Sequence, residues 1–398
     1  MSIVLDLGGL GPADLAVGPS ALSELMASLH VLAEPEHHPE AAGWAARAAA
    51  AGPELHDELT VFAPLWARYR CRLFFPRALP LAASLDEELA AIGELPKDDF
   101  LELVAPGILG TNAQPVPPAR ELRAGTAVAE DYARRCLRRS YARGELARQL
   151  MAAPLELRDR LLAVLRNADT AFFAEDWRTL RPALEDHARE VRRRLAALPP
   201  GALPAGSWGT SAGSAPISLL PQPPAGGTPI SLRSPADVLT ELLPTAARVG
   251  PGERVRLDKL QIDEVKVAPR PLVLVPSARV WPHLTVKNEH PSCVVVQYAA
   301  RGTSLAGQLT VRDLHHRLMA LTSPARMELC RHLLGEPITT SELAARLGSS
   351  EPQVSRALRT LRDAGLVRST RDGKLVRHRL ATDVIQRLGH DVLATVAR

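Results

Sequence analysis

Residues 339–380, TTSELAARLGSSEPQVSRALRTLRDAGLVRSTRDGKLVRHRL, decide the fold of this chain. Thr339 and Glu342 have the T-x-x-E spacing of a capping box, in which each side chain closes a free N–H at a helix start. Leu343, Ala344 and Leu347 then recur on one face. Gly348 ends that helix, because glycine enters the left-handed conformation without a Cβ clash. Ser350 and Gln353 form a second box with Pro352 in the first turn, and the helix they open turns Val354, Ala357, Leu358 and Leu361 inward. Gly365 stops it, Leu366 and Val367 begin a strand, and Asp372-Gly373 is a two-residue hairpin signal between Val367 and Val376. Two short helices, a tight turn and a basic hairpin make a winged helix-turn-helix.

The other face of the second helix carries Gln353, Ser355, Arg356, Arg359 and Thr360. Arg bonds guanine through two parallel N–H groups, Gln does the same with adenine, and Ser or Arg holds phosphate, so this face suits a major groove. The hairpin adds Arg368, Arg371 and Lys374, with Arg377 and Arg379 on the return strand, placed for backbone phosphates or the minor groove. The expected DNA-contacting set is Ser350, Gln353, Ser355, Arg356, Arg359, Thr360, Arg368, Arg371, Lys374 and Arg377. Gln353 and Arg356 are expected to read bases, and Ser355, Arg359 and the hairpin cations to hold phosphate. An amphipathic helix pair beside a basic hairpin also serves as a protein-docking unit, so a winged-helix protein-interaction module stands as an alternative.

The stretch from Pro324 to Leu380 resembles the ArsR-type winged-helix regulators, through PARMELCRHLL, TTSELAARLGSSEPQVSRAL and LRDAGLVRSTRDGKLVRHRL. It departs from them twice. Ala357 stands where the family often has His, and the helix SELAARLG lacks the paired cysteines of metal-sensing members, which excludes a thiolate metal site there. His315, His316 and His390, with Asp313 and Asp391, are the remaining ligand types near the ends of the unit, and they read as solvated surface. In regulators of this type the terminal helices pair two subunits. Here those are Val311 to Met319 and Asp383 to Val396, the latter with Val384, Leu388, Val392 and Val396; the same stripes also suit packing within one subunit. The resemblance implies a homodimer on double-stranded DNA, with two recognition helices entering major grooves about 10 bp apart on an inverted-repeat operator.

At 398 residues the chain is too long for one winged helix. From Val311 to Arg398 there are 15 Lys and Arg against 9 Asp and Glu, a net of +6 within a total of +4, so the rest carries −2. Basic charge is concentrated where DNA is expected. Cys71, Cys136, Cys293 and Cys330 are far apart and form no C-x-x-C pair, so they read as buried thiols of a reducing compartment. The first cation is Arg47 and no stretch approaches the length of a membrane helix, which makes a cytoplasmic protein without a membrane anchor the expectation.

Before the winged helix the expected order is a helical unit at 1–198, a Pro/Gly/Ser-rich linker or loop at 199–235, and a small α/β segment at 236–305 that completes the first unit. Residues 3–7 suggest a strand, Asp14 to Val17 a helical turn, and ALSELMASLHVL an amphipathic helix. His30, His37 and His38 follow with Glu34, Glu36 and Glu40. Their spacing puts no ligand set on one helix face, so they read as a polar loop and not as a metal site. Trp66, Tyr69, Phe74 and Phe75 read as core, as do the anchors Phe172, Phe173 and Trp177. GPSALSELMASLHVL, Trp44 and FFAEDW resemble the uncharacterised domain that often precedes an ArsR-type winged helix in actinobacterial regulators. Gly209-Thr210-Ser211-Ala212-Gly213 matches G-x-S-x-G but lacks the strand and helix that a nucleophile elbow needs. PLVLVPSARVWPHLTV and SCVVVQYAARG carry the β-branched character of buried strands.

The fold class is therefore expected to be α+β and mostly helical, with a helical N-terminal region, a small β-containing segment and a C-terminal winged helix, residues 311–398. The expected function is a sequence-specific, ligand-responsive repressor acting as a homodimer, its small-molecule ligand unassigned. An enzyme with an appended DNA-binding domain is a further alternative. Against it the sequence has no P-loop, no G-x-G-x-x-G, no metal-ligand motif and no nucleophile in context, so no cofactor and no catalytic residue are expected.

Overall fold

The computed structural model describes residues 2–396, except 198–233 and 301–310 and the short gaps 39–40, 51, 68–69, 80, 82, 111–113, 124, 244–245, 251, 260–261, 335–336 and 373–374. The architecture is mostly helical, as the sequence leads one to expect, and the described residues form three small sheets. The stretch 199–233, with its G-x-S-x-G, lies outside the described residues.

The beginning of the chain and the segment after residue 233 share two sheets. In the first, Ser2–Asp6 lies between Arg254–Asp258, antiparallel, and Asp263–Lys266, parallel. In the second, Leu15–Val17, Leu272–Ser277 and Val294–Ala299 run parallel, with Thr285–Lys287 antiparallel at the edge. The expected helical turn from Asp14 to Val17 is thus corrected. A 3-10 turn covers Pro12–Asp14 only, and Leu15–Val17 is a strand because Leu272–Leu274 offers it a ladder of backbone partners.

Residues of Leu272–Ser277 are buried throughout, as expected of a parallel strand covered on both faces. Val273, Val275 and Val295 face a helical core built around Leu25, Trp66, Phe74, Phe100 and Leu165. Leu272, Leu274, Val294 and Val296 face the opposite way, onto Leu5, Val191, Leu239 and Val255. The strand alternation of side chains therefore welds two cores through one sheet. The long helix Ala174–Ala196 joins the second core through Ala188, Val191 and Leu195, and it leaves Arg192 and Arg193 on its solvated side. Phe173 is fully buried, while Phe172 and Trp177 pack at the margin. The four cysteines are free and buried.

His30 and His38 do not belong to a polar loop. His30 sits inside the helix Ala21–Ala33, His38 follows the turn Pro35–His37, and both side chains are buried, at 2% and 1% exposure. A sequence-local view misses this because the surface that covers them comes from the loop around His283.

The third core belongs to the winged helix. Helices Val311–Leu321, Pro324–Leu333, Thr340–Leu347 and Glu351–Asp363 enclose Leu329, Leu333, Leu343, Val354, Leu358 and Leu361 against Leu366, Val367 and Leu380 of the hairpin. The closing helix is also corrected. Instead of one run from Asp383 to Val396 there are two helices, Thr382–Gln386 and Leu388–Val396, separated at Arg387. The break lets Val384 pack on the winged-helix core while the second helix lies along Val311–Leu321.

Candidate nucleic-acid interface

Local sequence chemistry builds the two helices of the motif. Thr339 Oγ1 accepts from Glu342 N at 3.3 Å and Glu342 Oε2 accepts from Thr339 N at 2.9 Å, the reciprocal box read from the sequence. These bonds hold the Glu342 carboxyl below the usual carboxylate range. Gly348 has φ 61° and Gly365 φ 73°, and each helix end is closed by a returning bond from the residue after its glycine, Ser349 N to Ala344 O at 3.0 Å and Leu366 N to Leu361 O at 2.8 Å.

On the second helix Gln353, Ser355, Arg356, Arg359 and Thr360 are all exposed, and Ser350 is exposed at its N-cap. Two of them are already engaged. Gln353 Oε1 accepts from Ser350 N at 3.3 Å and from Ser350 Oγ at 3.1 Å, bonds in which its amide N–H groups take no part. The Thr360 hydroxyl donates back to Arg356 O at 3.2 Å. Arg356 and Arg359 stand on the same open face, with Arg362 exposed one turn further toward the hairpin. Arg362 was legible as the next member of that row, three positions after Arg359, and belongs with it.

In the hairpin, Val367–Asp372 pairs with Leu375–Leu380, with Asp372 opposite Leu375, so Asp372 belongs to the strand and not to the turn expected at Asp372-Gly373; residues 373–374 lie outside the described residues. Lys374 lies outside the described residues. Arg368 stands directly across from Arg379, and both are exposed, so two like charges share the outer face. Asp383 Oδ2 accepts from Arg368 at 2.7 Å and its carboxyl is held low by that bond. Arg371 is exposed near the hairpin tip. Arg377 is half-buried and donates to Pro337 O at 3.3 Å, so it braces the sheet as well as adding charge.

Beneath this surface lies a residue that sequence reading left unassigned. His378 is buried, its Nε2 3.2 Å from Thr340 Oγ1 and its Nδ1 2.8 Å from Ser369 Oγ. It ties the first helix of the motif to the wing, and burial, then the Arg362 charge, lowers its pKa. A third strand, Ile338–Thr339, pairs with Arg377 and His378 and fixes the same corner. Asp391, expected to be solvated, is instead buried and accepts from Arg317 Nη1 at 3.0 Å. His315 and His316 are exposed, while the His390 ring lies 6.2 Å from Trp281.

Residues 1–207 and 228–304 match a family described as a family of unknown function, DUF5937, and residues 321–370 match a helix-turn-helix domain. A biofilm growth-associated repressor from Agrobacterium fabrum is 38% identical over 71 residues, which are 18% of this chain. The chain spans 61% of the length of that curated relative. Among solved structures, an ArsR-like transcriptional regulator from Rhodococcus sp. RHA1 is 26% identical, covering 20% of this chain and 76% of that one, with a TM-score of 0.20. NolR from Sinorhizobium fredii is also 26% identical, covering 20% and 79%, with a TM-score of 0.18.

Proposed function

The chain belongs to the DUF5937 family and carries a helix-turn-helix domain at residues 321–370, and from that premise we propose that it is a sequence-specific DNA-binding transcriptional regulator. The observation that carries the proposal is the open face of Glu351–Asp363. Its capped helix presents Gln353, Ser355, Arg356 and Arg359 to solvent, flanked by the basic hairpin with Arg368, Arg371 and Arg379. In the working complex this helix lies in the major groove, Arg356 and the Gln353 amide read base edges, and Ser350, Ser355, Arg359 and the wing cations hold phosphates. Thr360 and Arg377 act mainly by fixing the helix and the sheet.

The regulator acts as a homodimer. Val311, Leu318 and Met319 of Val311–Leu321 and Leu393 and Val396 of Leu388–Val396 are exposed apolar residues on two helices that lie together, an unusual surface for an isolated domain. A second copy of the same two helices would cover it and set two recognition helices for an inverted repeat. Repression is the sign favoured by the relative named as a repressor. Residues 1–198 and 236–305 form the sensing side, 311–398 the DNA-binding side. A physical route between them runs through Trp281, against His390, which adjoins the buried Asp391 and its Arg317 partner.

The test is binding of the purified chain to a fluorescent fragment of its own promoter region, with excess random DNA and a series of salt concentrations. Binding that survives the competitor, falls steeply with salt and fits two chains per site supports the reading. Absence of binding to any DNA at low salt would turn the winged helix into a protein-docking module.

A further inference from the structure

His30, His38 and His283 converge in the interior of the sensing side, and nothing in the DNA-binding reading uses them. All three are buried, at 2%, 1% and 6% exposure, and each offers a ring nitrogen within 4.8 Å of the other two. They come from three separate places: the helix Ala21–Ala33, the turn after Pro35–His37, and the loop ahead of the strand Thr285–Lys287. The rings meet in T-shaped arrangements, at interplanar angles of 83°, 76° and 61° and centroid separations of 5.1, 4.7 and 5.4 Å.

The tautomer of His30 is fixed by its neighbour. A carbonyl oxygen only accepts, so His30 Nδ1, 3.0 Å from Trp66 O, carries the proton and Nε2 is left with a lone pair. That Nε2 points at His283 Nε2, 2.8 Å away. A ring N–H anchored on a backbone carbonyl with the other nitrogen aimed at a shared point is the usual arrangement of an imidazole that holds a metal. The alternative is a knot of histidines that serves packing alone. Burying three imidazoles to bond one another is an expensive way to fill space that leucines would fill, whereas a metal uses all three nitrogens.

We propose that His30, His38 and His283 form a three-histidine site for a zinc-class divalent cation, inside the sensing side and separate from the winged helix. Neutral imidazole is the form that binds a metal. Besides the other two histidines, Arg70 and Lys259 face His283. Tetrahedral zinc at about 2.1 Å from each nitrogen needs nitrogens about 3.4 Å apart. The 2.8 Å pair therefore opens slightly, and the remaining separations, all within 4.8 Å, close toward the same value. Three protein ligands leave one position open. Arg70, buried and reaching Thr285 Oγ1 at 3.5 Å, favours an anion or a hydroxide there. The site is thus fit to hold a metal with an exchangeable anionic ligand. It revises the metal-free expectation drawn from spacing.

The test uses the full chain, stripped with a chelator and dialysed, and does not depend on DNA binding. Cobalt(II) is titrated in and the visible bands of four-coordinate cobalt are followed, then displaced with zinc. One cobalt per chain is expected, with the bands lost in His38→Ala and His283→Ala and kept in His315→Ala, whose residue is exposed on Val311–Leu321. X-ray absorption of the wild-type zinc form guards against variants that fail to fold, and three imidazoles at about 2.0 to 2.1 Å are expected. The proposal is overturned if folded wild-type chain takes up neither ion stoichiometrically, if the bands persist in a folded His38→Ala, or if absorption shows fewer than three imidazoles.

Discussion

Asp391, in the first turn of the last helix, accepts a charge-assisted hydrogen bond from Arg317 of the first helix of the winged unit at 3.0 Å, and both are largely shielded from water. The same guanidinium donates through Nε to Ala364 O at 3.3 Å, beside the glycine that ends the recognition helix. One arginine thus joins the terminal helices to the element that would enter the groove. Removing Asp391 leaves this cation in a poorly solvated place. Asp391→Ala is expected to cost about 2 to 4 kcal/mol in urea unfolding of the DNA-binding side, and a loss below about 0.5 kcal/mol, the usual size for a surface site, would show that the pair does not matter.

Base reading and phosphate holding separate by mutation. Arg356→Ala is expected to weaken operator binding by about 1 to 3 kcal/mol while hardly changing affinity for random DNA. Arg371→Ala should weaken both alike and reduce the salt slope by about one. Gln353→Glu keeps an acceptor for Ser350 and so keeps the cap, but it cannot donate to adenine and brings a negative charge to DNA. Its melting temperature should match wild type while operator affinity falls. Equal losses on both DNAs for Arg356→Ala would overturn its role as a base reader.

His378 makes the winged helix sensitive to acid. Its folded pKa is lowered, by burial first and by Arg362 next, so the unfolded chain takes up the proton more readily than the folded one. Stability is then fully present above the unfolded value of about 6.5 and declines as pH falls through it. Urea midpoints between about pH 7.5 and 5 should show a shallower decline in His378→Gln than in wild type. Identical slopes would mean that this imidazole is protonated without cost.

The exposed apolar residues of the terminal helices give the dimer test. Leu318→Glu with Leu393→Glu alters two exposed positions, so each chain should keep its stability within about 0.5 kcal/mol per site. Sedimentation is expected to shift from dimer to monomer and operator affinity to drop with it. A double variant that still sediments as a dimer would place the interface elsewhere.

What the sequence determined by itself was the local chemistry of residues 339–380. Capping boxes, two left-handed glycines and a 3.6-residue apolar stripe each act over a few positions, and each reappears in the structure with its expected partner. The burial of Val273, Val275, Val294 and Val296 was legible for the same reason, since a run of β-branched residues has few other places to go. Tertiary structure decided everything that depends on distant segments meeting. Leu15–Val17 became a strand only because Leu272–Leu274 lies beside it, Asp391 turned inward only because Arg317 was there to meet it, and His378 became a hub through Thr340 and Ser369. The histidines are the clearest case. His30 and His283 are 253 positions apart, so no spacing rule along the chain could join them, and burial by two cores that share one sheet brings their nitrogens to 2.8 Å.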